Sequence, residues 1–222
     1  MDITWLGHSS FRIKGREGVV VTDPFNPKMV GLEWKNPKAD MVTVSHGHED
    51  HNYVNGVKPT NGREDKGVYI IDGPGEYEVQ GVMIRGWNTF HDNNDGEKRG
   101  TNVIYLIELD RLTVLHCGDL GHELSEELLE DIGQVDVMLI PVGGIYTMDG
   151  KTAAKVTKLI SPAIVVPMHY QIPGLNPQGF NQLTGIGEFT KELGLEPGMP
   201  QEKLTVAVAN LPEDTQLVVL KI

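Results

Sequence analysis

A single cysteine, Cys117, stands in 222 residues, so no disulfide can close within the chain. That suits a reducing interior and removes disulfide stapling from any account of stability. Positive charge is also scarce: 19 Lys and Arg face 31 Asp and Glu, for a formal net charge of −12. No basic stripe runs along any segment. This argues against a nucleic-acid backbone as partner and for a small-molecule substrate. Long apolar runs are missing, and Met1-Asp2-Ile3-Thr4 has no basic leader region. Neither a membrane span nor a signal peptide is expected, and the expected location is the cytoplasm. With no repeat, heptad array or low-complexity tract, residues 1–222 read as one domain with ample chain for a core. Nothing in the pattern sets an oligomeric state.

What the chain does have is a cluster of histidines. Three of its eight fall within Ser45-His46-Gly47-His48-Glu49-Asp50-His51, together with two carboxylates. The β-prone stretch Met41-Val42-Thr43-Val44 precedes them, so they occupy a turn leaving a strand end. Imidazole nitrogens and carboxylate oxygens are ligands for divalent transition metals. His46 and His48 can reach one ion while the turn carries Asp50 and His51 toward a second. Gly47 eases the bend.

Short strands are expected at Ile3–Leu6, Phe11–Ile13, Val19–Thr22, Val68–Ile71, Glu76–Val79, Val82–Arg85, Val103–Leu109 and Leu112–Leu115. Further strands are expected at Val135–Val142, Ala163–Pro167, Leu204–Leu211 and Gln216–Ile222. Helices are expected from Ser125 to about Ile132, where Ser125 caps and Glu126 and Glu127 suit the positive end. Two more are expected at Lys151–Ile160 and about Ile186–Leu193. Residues 26–38 read as a loop, and residues 52–67 as a polar connection with room for a short helix. The charged loop Asp92–Gly100 fails the calcium-loop spacing. Residues 171–187, rich in Pro and Gly, read either as a binding loop or as a passive connection.

Polar groups recur just past these β-like runs: His8 after Leu6, His46 after Val44, Asp119 after Leu115 and His169 after Pro167. His91 follows the Val82–Arg85 run at a longer interval. Sites favour such rims, although periodicity does not reveal whether these ends share one.

His46-Gly47-His48-Glu49-Asp50-His51 resembles the H-x-H-x-D-H signature of the metallo-β-lactamase superfamily. Trp5-Leu6-Gly7-His8-Ser9-Ser10-Phe11 and Thr22-Asp23-Pro24-Phe25 are similar to its ascorbate-6-phosphate-lactonase-like branch of metal-dependent hydrolases. The resemblance runs from Leu6 to about Tyr170. It implies an α+β fold, a four-layer αβ/βα sandwich. It also implies a ligand set: His46, His48 and His91 for a first metal, Asp50, His51 and His169 for a second, and Asp119 bridging. Asp23 matches an aspartate that supports the site without necessarily binding metal. His8 has no metal position left and becomes a candidate for touching substrate or passing a proton. Asp50 and His8 are thus the catalytic candidates. No family ligand maps onto His116 or His122, and Cys117 reads as a small buried residue.

The implied chemistry is hydrolysis by a hydroxide shared between two divalent cations, zinc first, with manganese or iron also suited to this donor set. No Ser or Cys nucleophile is needed, and Gly7-His8-Ser9-Ser10-Phe11 is not a nucleophile elbow. The substrate class is a lactone, an amide or a phosphorylated small molecule. The alternatives are a nuclease of the same superfamily and a non-hydrolytic metal-binding or redox protein on the same fold.

Overall fold

The structure, a computed structural model, describes residues 1–62 and 64–222; Arg63, inside the connection expected at residues 52–67, lies outside the described residues. Among the described residues, two large sheets face one another. The first has six strands in the spatial order Leu204–Thr205, Asp2–Gly7, Ser10–Lys14, Val19–Thr22, Met41–Thr43, Tyr69–Ile71. The second has seven, in the order Gln216–Leu217, Ile164–Met168, Val137–Pro141, Leu112–His116, Thr101–Leu109, Val82–Phe90, Gly75–Val79.

Alternation decides which side chain faces which core. In Val19–Thr22, Val20 turns inward against Ile13, Met41 and Ile84 between the sheets. Its neighbours Val19 and Val21 turn outward and pack with Phe25, Val30, Trp34 and Phe180. Buried on both faces, this strand and its partner Met41–Thr43 run parallel and are wholly apolar or Thr. In the second sheet, Leu112–His116, Val137–Pro141 and Ile164–Met168 are also parallel, joined by crossover helices Glu126–Ile132 and Gly150–Ile160.

Ser125 caps the first crossover helix by accepting from the Leu128 N–H, and Asp149 caps the second by accepting from Thr152. The second helix buries Ala153, Ala154 and Val156 against the sheet and packs along Gly187–Leu193. The outer layer on the six-stranded side is thinner: two single helical turns, Pro27–Val30 and Pro177–Phe180, with loops. Each of these turns starts on Asn-Pro, the Asn oxygen capping and the Pro at the first helical position.

The expected elements are present, with three differences. Val82–Phe90 is nine residues long and pairs along its length with Thr101–Leu109, so His91 follows it directly. Gly86 sits inside that strand because a Cβ there would come within 2.8 Å of the Tyr105 ring. The last two strands shrink to Leu204–Thr205 and Gln216–Leu217. Each adds to the edge of a different sheet, and Val208–Asn210 forms a 3₁₀ turn between them. The loop expected at residues 26–38 contains the capped turn Pro27–Val30, and Lys38 begins a two-residue strand beside Lys58–Pro59.

Burial sets the expected cost of core truncation. Ile107 is fully buried between the sheets and Leu159 is 51% exposed. In urea unfolding at fixed metal concentration, Ile107→Ala should lower stability by about 2–5 kcal/mol. Leu159→Ala should stay within about 0.5 kcal/mol.

Candidate metal centre

The strand ends that carry polar groups share one rim. His8 follows Asp2–Gly7, Asp23 follows Val19–Thr22, and His46 lies three residues past Met41–Thr43. From the facing sheet, His91 follows Val82–Phe90, Asp119 lies three residues past Leu112–His116, and His169 follows Ile164–Met168. Three of these, His8, Asp23 and His169, adopt left-handed backbone with φ of 53°, 38° and 51°. Such strain in non-glycine residues persists where surrounding contacts over-determine it, typically at functional sites.

The side chains meet in three overlapping groups whose donor atoms lie within 4.8 Å of one another: His46, His48 and His91; His46, His51 and Asp119; and His8, Asp50, His51 and His169. Asp119 is the junction. Its Oδ2 lies 3.2 Å from His51 Nε2, 3.2 Å from His91 Nε2 and 3.3 Å from His169 Nε2. The His51 and His169 nitrogens are in ion-pair reach but out of line for a hydrogen bond. They are left, with His46 Nε2 and the Nδ1 atoms of His8, His91 and His169, as buried ring nitrogens without a hydrogen-bond partner. Buried polar atoms are rarely unpaired, and several aimed at one carboxylate fit a shared cation. His8 enters through a hydrogen bond from its Nε2 to Asp50 Oδ2 at 3.2 Å.

A second buried carboxylate orients the rings. Asp23 Oδ2 accepts from His51 Nδ1 at 2.9 Å and from the Ser45 hydroxyl at 2.6 Å. With its proton spent on Asp23, the Ser45 oxygen accepts from His46 Nδ1 at 2.9 Å. One aspartate thereby sets the tautomer of His46 and of His51, turning both Nε2 atoms to the cluster.

Ser45 and Asn102 were not singled out in the sequence. Asn102 accepts from the Asp119 N–H at 2.9 Å and donates to the Cys117 carbonyl at 3.0 Å, pinning the loop that carries Asp119. Gly118 in that loop has φ 54°, and a Cβ would lie 2.4 Å from the Asn102 oxygen. The serine signal was available beside His46; the asparagine signal was not, since it depends on strand pairing.

Other polar residues stay outside. His116 donates from Nε2 to the Ser9 carbonyl at 2.8 Å and accepts the Gly118 N–H. His122 accepts the Phe90 N–H at 3.0 Å, next to His91. Cys117 is buried, and burial pushes its thiol well above the usual range.

The electrostatics follow from crowding. For Asp119, burial raises the carboxyl but His169 and His51 outweigh it, leaving it well below the usual range. Burial would depress His51, yet Asp119 and Asp50 overcome this and raise it well above its ordinary value. His91 is likewise raised against burial by Asp119. Burial, with His169, takes His8 down to about 4, and burial, with His51, takes His46 down to about 3.

A cleft of about 540 Å³ opens onto the cluster. His48, Asp50, His91 and Asp119 form its floor, and Met29, Tyr146, Gly179 and Phe180 contribute to its walls. Residues 171–187 thus supply part of a wall: Phe180 is buried with its ring 5.0 Å from His8, and Tyr146 donates to the Gly179 carbonyl at 2.6 Å.

The model of the beta-lactamase superfamily domain matches residues 2–169. The chain belongs to that superfamily. It is similar to a UPF0173 metal-dependent hydrolase of Pyrococcus abyssi, 32% identical over 222 residues, covering 89% of this chain and 97% of that protein. It is similar to a solved structure from Thermotoga maritima, described as a candidate zinc-dependent hydrolase of the metallo-β-lactamase superfamily. That likeness has TM-score 0.77 and 34% identity over 99% of this chain and 97% of that one. The fold is therefore the metallo-β-lactamase sandwich that the motif implied. CmlA, a diiron β-hydroxylase from Streptomyces venezuelae, shares the fold alone, at TM-score 0.55 and 14% identity over 76% of this chain and 44% of that one.

The raised His51 and His91 values have a measurable consequence. Both shifts favour the protonated ring in the metal-free protein, and a ligating imidazole must be neutral. Zinc titrated into metal-free protein at pH 6, below the about 7 at which zinc-bound water ionises, should release at least one proton per chain. Calorimetry in buffers of different ionisation enthalpy reads this count, and a count of zero would refute the assignment.

Proposed function

We propose that this chain is a dinuclear metal-dependent hydrolase of small molecules. His46, His48 and His91 would hold one divalent ion, Asp50, His51 and His169 the other, and Asp119 would touch both. The observation that carries this reading is the position of Asp119 Oδ2, 3.2–3.3 Å from imidazole nitrogens of both sets. The donor set of imidazoles and carboxylates suits zinc first and accepts manganese or iron. When bound, such a pair lowers the pKa of a water near the reacting bond and polarises that bond.

The residues of the chain supply the remainder. Asp23 holds two imidazoles in the ligating tautomer through His51 Nδ1 and Ser45. The exposed His48 and Asp50, with only 8% of its surface accessible, form the edge of the floor that an incoming substrate meets. His8 donates its Nε2–H to Asp50. Burial and His169 keep that ring neutral near pH 7. His8 therefore serves by fixing Asp50, a positioning role, rather than by storing a transferable proton.

Metal content per chain separates these roles. Asp119→Ala should reduce both ions together, His91→Ala mainly one and His169→Ala mainly the other. Full occupancy in all three would sink the scheme. With a panel of esters, lactones, amides and phosphodiesters, His8→Ala should lose about 10–100-fold in turnover while retaining both ions. His8→Gln, which restores an N–H donor, should recover part of that loss. Disappearance of one ion from His8→Ala would make His8 a ligand instead.

A further inference from the structure

The floor of the cleft is a His/Asp cluster; its wall carries one feature the proposed hydrolysis does not use. Arg99 is the one Arg or Lys lining the cleft among the described residues. It is half-buried and fixed from three directions. Its Nη2 donates to the Ile145 carbonyl at 3.1 Å, and its guanidinium carbon lies 4.9 Å from the centre of the Tyr146 ring. Asp92 fixes the loop from within. Its Oδ1 accepts from the N–H groups of Asn94 and Gly96, and its Oδ2 from those of Lys98 and Arg99, at 2.8–3.0 Å. The carbonyl that receives Arg99 belongs to Ile145, a β-branched residue at φ 61°, a conformation such residues rarely adopt.

A surface arginine in a chain of net charge −12 has carboxylates to choose from. Yet among the described residues no carboxylate forms an ion pair with Arg99, and only one of its guanidinium N–H groups has a described hydrogen-bond acceptor. A guanidinium presents five N–H donors in a planar fork. Stacked on an aromatic face with donors to spare, it is preorganised for a carboxylate or phosphate, which it grips with two parallel hydrogen bonds. Glu49 also lines the cleft, but it is exposed, where water and salt screen its repulsion.

We propose that Arg99 selects the substrate: the molecule hydrolysed carries an anionic group, carboxylate or phosphate, held by Arg99 while its scissile bond lies over the His/Asp floor. This rests on the hydrolase reading of that floor. Met29, Tyr146 and Phe180 would enclose the apolar stretch between the two ends.

The test uses metal-loaded full-length protein and three p-nitrophenyl esters matched in length, with a neutral, a carboxylate or a phosphate terminus. The wild type should favour one or both anionic esters in kcat/KM. Arg99→Ala should reduce that preference by about 10- to 100-fold, mainly through KM, and Arg99→Lys should restore only part of it. The two anionic esters distinguish a carboxylate from a phosphate site. Binding is read separately, as the rise in Tm produced by glutarate and by glycerol phosphate in wild type and Arg99→Ala with equal metal content. If no ester turns over but the anions stabilise wild type and not Arg99→Ala, the hydrolase reading falls and the anion site stands. If the preference and the Tm shifts survive in Arg99→Ala, Arg99 is only a brace for the Ile145 turn and the proposal is overturned.

Discussion

A carboxylate with 2% of its surface exposed can remain ionised only where positive or donor groups surround it, and Asp119 is such a group. Three imidazole nitrogens lie within 3.3 Å of one of its oxygens, while the Ser9 hydroxyl reaches the other at 3.4 Å. Those partners come from four separate strand ends on two sheets. Facing the two sheets across a shared core is what lets chain segments more than a hundred residues apart meet at one oxygen. The core supplies the driving force, and the rim collects the groups that could not be buried inside it.

The same logic repeats one layer deeper. Asp23 is fully buried, and its carboxylate accepts the Ser45 N–H as well as the Ser45 hydroxyl and His51. Replacing any one donor would leave a buried charge short of partners, which costs more than the hydrogen bond itself is worth. His116 plays a comparable part for the first turn: it ties the Ser9 carbonyl to the loop before Asp119. The His8 carbonyl accepts from Trp5 and from the His169 N–H, so the two sheets are also stitched directly at the rim. Geometry at the cluster is thereby held by groups that never reach it.

Much of this was legible in the residues because it is local. The heptapeptide from Ser45 to His51 announces its chemistry by density alone, and the apolar runs at Val137–Pro141 and Ile164–Met168 announce buried strands. The residues less evident from sequence are those whose meaning is set by pairing. Asn102 reads as an ordinary polar residue at a strand start; only the register against Thr89 places its amide between Thr89 and Cys117. The strand expected to end at Arg85 runs on to Phe90, and Tyr105 across the ladder is what requires Gly86 inside it. The last two strands were expected too long, since a β-prone run does not reveal how little edge is free to receive it.

The fold leaves the reaction open, since a diiron β-hydroxylase shares it at 14% identity. A cluster of imidazoles and carboxylates can activate water or serve redox chemistry. What narrows the choice must lie around the cluster, in the groups that decide which molecule approaches and how it is turned. In this chain the floor and the wall are mechanically linked. His91 and Asp92 are consecutive: one faces Asp119, and the other gathers four backbone N–H groups, including that of Arg99. The loop that carries Arg99 therefore begins at the cluster itself. Wall and floor are thus held by one connection, residues 91–100, between two paired strands.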